Sequence, residues 1–151
     1  MVDIELLKKL RNETLVSIAE CRKALEESNN DYKKALDVLR KSGLEKAAKK
    51  SDREVSQGLI EAYVHQSGRV GVLVEILCET DFVALTDVFK ELAHEVAMQI
   101  TAMNPKDVKE LLTQEYIRDN SKTIEILVKE AIAKLGENIV IKRFQRLEIG
   151  E

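Results

Sequence analysis

The spacing of apolar residues along this chain switches twice, from helical steps to strand alternation near residue 55, and back to helical steps beyond residue 85. Ile4, Leu7 and Leu10, with Leu6 beside them, predict a first helix over residues 3–12. Thr14-Leu15-Val16-Ser17 reads as a turn. Ser17 followed by Glu20 fits a capping box, opening a second helix to about Glu27 with Ile18, Cys21, Ala24 and Leu25 inward. Asn30 is placed to cap a third helix, whose apolar face is Tyr32, Ala35, Leu36 and Leu39 and whose stop is Gly43. Three helices this short are marginal singly, but together they bury one shared core. Residues 44–53 read as a helical linker rich in Lys and Ala, with Lys46, Lys49, Lys50 and Arg53 on overlapping faces.

From Val55 the period becomes two. Ile60, Ala62 and Val64 alternate with Leu59, Glu61, Tyr63 and His65; Ser67-Gly68 supplies a tight turn; Val70, Val72, Val74, Ile76 and Cys78 alternate on the return. This predicts a β-hairpin with its apolar face covered, and Leu73 and Leu77 point to partial cover on the other side. Thr86-Asp87 opens the strongest helical pattern in the chain: Phe89, Leu92, Ala93, Val96, Ala97, Ile100 and Met103, ended by Asn104-Pro105. A short helix from Asp107 to Tyr116 and a polar loop through Asn120 are expected next. Ser121 then caps a helix with Ile124, Leu127, Val128, Ala131, Ile132 and Leu135 on one face, stopped by Gly136. Residues 138–149 read as a third strand returning to the hairpin, with a bulge or two-sided burial where its alternation fails. The expected class is α+β: residues 1–43 a three-helix module, 44–54 a helical linker, and 55–151 a core in which a small three-stranded antiparallel sheet packs with helices.

Composition narrows the function. A chain of 151 residues with 44% hydrophobic and 34% charged residues buries a core without disulfides or metal. The net charge of −3 argues against a dedicated nucleic-acid binder, and the absence of Trp removes the usual stacking platform. Cys21 and Cys78 form no close-spaced pair and read as small buried hydrophobes. No secretory signal is visible at Met1–Glu5, and the longest apolar run is too short to span a bilayer, so a cytoplasmic setting without membrane contact is expected. His65 and His94 stand far from any zinc-ligand spacing and read as rim histidines. The six glycines make neither a phosphate loop nor a dinucleotide fingerprint. Neither a cofactor nor covalent chemistry of its own is therefore expected, and what remains is action on another protein.

At the junction of hairpin and long helix stands Cys78-Glu79-Thr80-Asp81-Phe82-Val83-Ala84, where one of only three phenylalanines sits beside an acid. The residues alone leave two readings: a core plug, or a pair of side chains presented to a partner. With Phe89-Lys90 and Leu92-Ala93 downstream, this stretch resembles the elongation factor Ts family. So do Leu10-Arg11, Thr14, Cys21-Arg22-Lys23-Ala24-Leu25, Lys41-Ser42-Gly43 and Ala47-Ala48-Lys49-Lys50, and Ala131–Val140 running into Arg143-Phe144. Together they cover nearly the whole chain.

The resemblance implies a ubiquitin-associated-type N-terminal module and a guanine-nucleotide exchange factor for elongation factor Tu. The expected partner is Tu, both bound to guanosine diphosphate and nucleotide-free. It implies that Phe82 acts as a wedge between helices of Tu, that Asp81 disturbs the surroundings of Tu's magnesium ion, and that Thr80 and Val83 fix the turn. It also implies that Leu15, Val16 and Ile18 dock the module on a helix of Tu. Leu15-Val16-Ser17 stands where a Gly-Ala-Gly run is usual, Leu85 replaces a residue commonly basic or polar, and a long mid-core insertion is missing. A shortened member leaves monomer and dimer both open. A plain adaptor that binds Tu or another translation protein without driving exchange is the alternative. An RNA-associated protein using Lys46, Lys49, Lys50 and Arg53 with Lys142, Arg143 and Arg146 is a third reading.

Overall fold

A computed structural model describes residues 1–151. The elements run α1 (Ile4–Thr14), α2 (Ile18–Glu27), α3 (Tyr32–Lys49), β1 (Gln57–Val64), β2 (Val70–Cys78), α4 (Asp81–Ala84), α5 (Asp87–Met103), α6 (Val108–Thr113), β3 (Glu115–Tyr116), β4 (Asp119–Thr123), α7 (Ile124–Leu135) and β5 (Ile139–Glu148). The expected α+β class holds: three helices, then a three-stranded antiparallel sheet of order β1-β2-β5 packed with helices.

Helices α1–α3 enclose their own small core of Leu10, Cys21, Ala24, Leu25, Ala35 and Leu39. Their starts are capped by side-chain oxygens, as isolated helix N-termini require. The Asp3 carboxylate accepts from the Glu5 and Leu6 N–H groups at 2.8 and 3.2 Å. Ser17 Oγ accepts from the Glu20 N–H at 3.3 Å, and its own hydroxyl donates to the Glu20 carboxylate at 2.8 Å. Asp31, not Asn30, caps α3: Asn30 has φ 61° and uses its side-chain amide to hold the Met1 carbonyl, leaving Asp31 to accept from Lys34 N–H. Ile18 opens α2 on the outer side and is exposed rather than inward.

Gly43 does not stop α3. A glycine ends a helix by taking a positive φ, whereas Gly43 stays helical and α3 continues through Lys49. The missing side chain serves packing instead, since a Cβ there would stand 3.1 Å from Ala133 Cβ on α7. The segment expected as a linker is thus mostly the second half of α3, and Ala47 on it enters the main core. Lys46 in its last turn is hydrogen-bonded to Glu20 of α2, which together with the Ser17 hydroxyl holds the Glu20 carboxyl below its ordinary pKa.

The main core lies between one face of the sheet and helices α5 and α7. Val72, Val74, Ile76, Cys78, Ile139 and Ile141 meet Phe89, Ala93, Val96, Ile100, Ile124, Val128 and Ile132 there. The hairpin forms as expected, but β1 turns its other side to the core. Leu59 pairs with Ile76, Glu61 with Val74 and Tyr63 with Val72. Directly opposed residues share a face, so Leu59 and Tyr63 pack inward while Ile60, Ala62 and Val64 face solvent. Gly58 makes the close approach of β1 to β2 possible: at φ 152°, a Cβ there would fall 2.0 Å from the Ile76 carbonyl oxygen. The expected bulge in the third strand lies where pairing passes from Glu75↔Arg143 to Ile76↔Ile141, leaving Lys142 unpaired.

Two corrections fall after α5. Residues 114–123 form a two-stranded hairpin, β3–β4, not the end of a helix and a loop. Thr123, not Ser121, caps α7; Ser121 bonds Asp119 instead. Two polar residues of α5 hold this hairpin. Gln99 donates to the Glu115 carbonyl at 3.0 Å and accepts from Ile117 N–H at 3.0 Å. Glu95 accepts from the Tyr116 hydroxyl at 2.6 Å and pairs with Arg118 at 3.1 Å. Burial, then the hydrogen bond to Glu95, pushes the Tyr116 hydroxyl pKa upward.

Candidate functional site

The corner between β2 and α5 is built from backbone outward. Strand β2 ends at Cys78, whose buried thiol donates to the Thr80 carbonyl at 3.1 Å; burial is the main cause that raises its pKa. Thr80 takes extended backbone angles and caps a single helical turn, α4, its hydroxyl oxygen accepting from Val83 N–H at 3.4 Å. Asp81-Phe82 stand outside the long helix α5 and are the first two residues of this separate turn. Thr86 then caps α5 separately, accepting from Phe89 N–H at 3.2 Å.

The four residues divide by role. Val83 is half-buried and packs against the main core, and Ala84 beside it is buried. Asp81 is exposed, and Phe82 is 80% exposed. Leu85, three residues on, is 69% exposed. The core-plug reading of Phe82 is therefore set aside: the buried aromatic of this corner is Phe89, at 0%.

The corner is fastened by two acids that sequence reasoning gave no role. Glu137 follows the α7 stop at Gly136 (φ 76°). Its carboxylate accepts from Glu79 N–H at 3.2 Å, Thr80 N–H at 2.9 Å and the Thr80 hydroxyl at 2.7 Å. Glu79 reciprocates, accepting from Asn138 N–H at 2.7 Å, and Arg53 lies 3.6 Å from it. Asn138 donates its side-chain amide to the Ser51 and Arg53 carbonyls at 3.4 and 2.9 Å. The signal was in the sequence, since both acids lie inside the stretches that carry the resemblance, but only the fold brings residues 58 positions apart into contact.

The second group stands apart, on the α1–α2 corner. Leu15 is 49% and Ile18 58% exposed. Val16 turns inward and packs against the module's core. Leu15 adopts φ 58°, ψ 15°, a left-handed conformation that favours glycine. Four of the seven cations of the RNA reading are engaged within the chain: Lys46 is tied to Glu20, Arg53 to Glu79 and Arg143 to Glu75, and Arg146 is nine-tenths buried, donating to the Thr101 carbonyl and to Glu148. No group of three or more His, Cys, Asp or Glu side chains is placed to hold a metal, and no helix is long and apolar enough to cross a membrane.

The fold places exposed apolar side chains, Phe82 and Leu85, on an ordered corner of an α+β protein. The family model described as elongation factor TS matches residues 79–151. The chain is 43% identical to elongation factor Ts of Thermoanaerobacter sp. (strain X514), covering 100% of this chain and 96% of that one. It is 44% identical to that of Coprothermobacter proteolyticus, covering 99% of each, and 42% identical to that of Thermotoga neapolitana, covering 99% and 98%. The chain belongs to the elongation factor Ts family. The Thermoanaerobacter alignment spans 196 positions against 151 residues here, so 45 of those positions have no counterpart in this chain.

Proposed function

We propose that this chain carries out the exchange function of its family, release of guanosine diphosphate from elongation factor Tu during translation elongation in the cytoplasm, by inserting the Asp81-Phe82 turn into Tu. The observation that carries the reading is Phe82, 80% exposed at the tip of a turn that is itself clamped to the main core. Burying such a side chain in a partner gains about 1.5–3 kcal/mol. If that pocket opens only when the nucleotide site is distorted, the gain is available only to the nucleotide-free form. Asp81 beside it adds a carboxylate that competes for the surroundings of the partner's magnesium ion. Leu15 and Ile18 dock the module on Tu, with Val16 as their inner support. Linkage makes the effect reciprocal: a factor that weakens nucleotide affinity is itself weakened equally by the nucleotide. No bond is made or broken.

The test is release of a fluorescent guanosine diphosphate from Tu upon addition of this protein in catalytic amount. Accelerated release is expected. Binding to Tu without acceleration would establish the adaptor reading instead. For self-association, the supporting feature is the uncovered sheet face, where Ile60, Val64, Leu73 and Leu147 are all exposed. It favours a dimer over a monomer, and the mass measured by sedimentation equilibrium decides between them.

A further inference from the structure

We infer that Glu137 is a positioning residue for exchange, holding the α4 turn through Thr80 at the angle from which Phe82 is presented. The inference rests on the wedge reading above.

Helix α4 has four residues and no stability of its own. Phe82 is its second residue, so its direction depends on how Thr80 is held. Thr80 is held at two atoms by one carboxylate, through its N–H at 2.9 Å and its hydroxyl at 2.7 Å. A hydroxyl has one proton. With that proton committed to Glu137, a lone pair is left facing Val83 N–H, which it accepts at 3.4 Å. Glu137, Thr80 and Val83 thus form a relay in which the carboxylate fixes the hydroxyl and the hydroxyl fixes the turn. The backbone beside Glu137 is itself held, because Asn138 N–H is bound to Glu79 at 2.7 Å and the Asn138 side chain to the Arg53 carbonyl at 2.9 Å. None of these hydrogen bonds is made to the Phe82 side chain, so their influence on exchange runs through orientation.

Glu137→Gln changes one oxygen to an amide nitrogen at nearly constant size. If the remaining oxygen keeps the two backbone N–H groups, the new donor faces Thr80 Oγ1. The hydroxyl must then turn its proton elsewhere and divide its lone pairs between the introduced amide and Val83 N–H.

The experiment uses the full chain and Tu loaded with fluorescent guanosine diphosphate. E137Q is expected to lower the maximal release rate about tenfold, or ~1.4 kcal/mol. Its half-saturating concentration against nucleotide-bound Tu stays within about twofold of the unmodified chain, while its affinity for nucleotide-free Tu falls in step with the rate. In a Phe82→Ala background the same change alters the rate by less than about twofold, because the two act through one step. Unchanged exchange by E137Q, or a slowing that persists in full beside Phe82→Ala, would overturn the inference. Should E137Q fail to fold, Thr80→Val and Thr80→Ser decide: the serine keeps the relay and the rate, the valine loses both, and equal rates for the two would overturn it. Full-speed exchange by Phe82→Ala alone refutes the wedge reading, whatever E137Q does.

Discussion

Two corners of this molecule expose apolar side chains, and they are supported in opposite ways. At the α1–α2 corner Leu15 and Ile18 stand on a small module with six buried core residues. The turn is held by local bonds, Leu15 N–H to the Arg11 carbonyl at 2.9 Å and Val16 N–H to Thr14 Oγ1 at 3.3 Å, and it contains a left-handed leucine. At the β2–α4 corner Phe82 and Leu85 stand on a core of twenty buried residues, and the turn is fastened by the side chains of Glu137 and Arg53 from two distant segments. A docking surface tolerates compliance, because binding energy is summed over several contacts. A wedge does not, since a Phe that swings aside meets no gap. The better-anchored corner is the one assigned the task that needs direction.

The sharpest break of this comparison is between the two phenylalanines of the second corner. Phe89→Ala, at a fully buried site, is expected to cost ~3–5 kcal/mol of folding stability. Phe82→Ala is expected to cost less than ~0.5 kcal/mol, as exposed positions do. Urea unfolding of both variants measures the contrast; equal losses would make Phe82 a core residue. At the other corner, Ile18→Ala should raise the half-saturating concentration in exchange about tenfold while leaving the maximal rate unchanged, the mark of lost ground-state binding. A fall in maximal rate would place Ile18 in the release step.

Leu15→Gly separates strain from contact at a single position. Relief of the left-handed backbone, partly offset by glycine's greater unfolded-state freedom, should raise stability by about 0.5 kcal/mol. Binding to Tu should weaken at the same time, read by thermal melts and titration respectively. The smallest effect concerns Glu20. Its folded pKa is depressed, so its contribution is fully present above the ordinary carboxylate pKa and fades as pH falls through the lowered folded value. The pair with Lys46 is more than a third exposed on both sides, so screening limits the gain to about 0–1 kcal/mol. Glu20→Gln should therefore lower module stability at neutral pH and flatten its acid dependence in that window. An unchanged acid limb would show that the bond to Lys46 contributes nothing.

The elements with long apolar repeats were legible in the sequence. Helix α5, helix α7, the hairpin and the third strand with its bulge all lie where the periodicity placed them. What failed were choices between two readings of one pattern. Strand β1 offers Ile60, Ala62 and Val64 on one side and Leu59 and Tyr63 on the other, and hydrophobicity alone favours the wrong trio. Facing is set by register against β2, and a shift of one residue inverts it. Gly43 has the composition of a helix stop, but its purpose is the close approach of Ala133, which no local rule contains. The β3–β4 hairpin was missed because its strands are short and polar and are held by Gln99 and Glu95 from another element. At the site, Asp81-Phe82 stood out by scarcity and position, whereas Glu137 and Glu79 look like ordinary surface acids until the fold pairs them.

The central claim is that Phe82, not binding as such, drives nucleotide release. The most direct measurement is the rate of guanosine diphosphate release from Tu at saturating Phe82→Ala, with affinity for nucleotide-free Tu measured alongside. The account predicts folded protein that still binds and a release rate lower by about 100-fold, or ~2.7 kcal/mol. Release as fast as with the unmodified chain would contradict it.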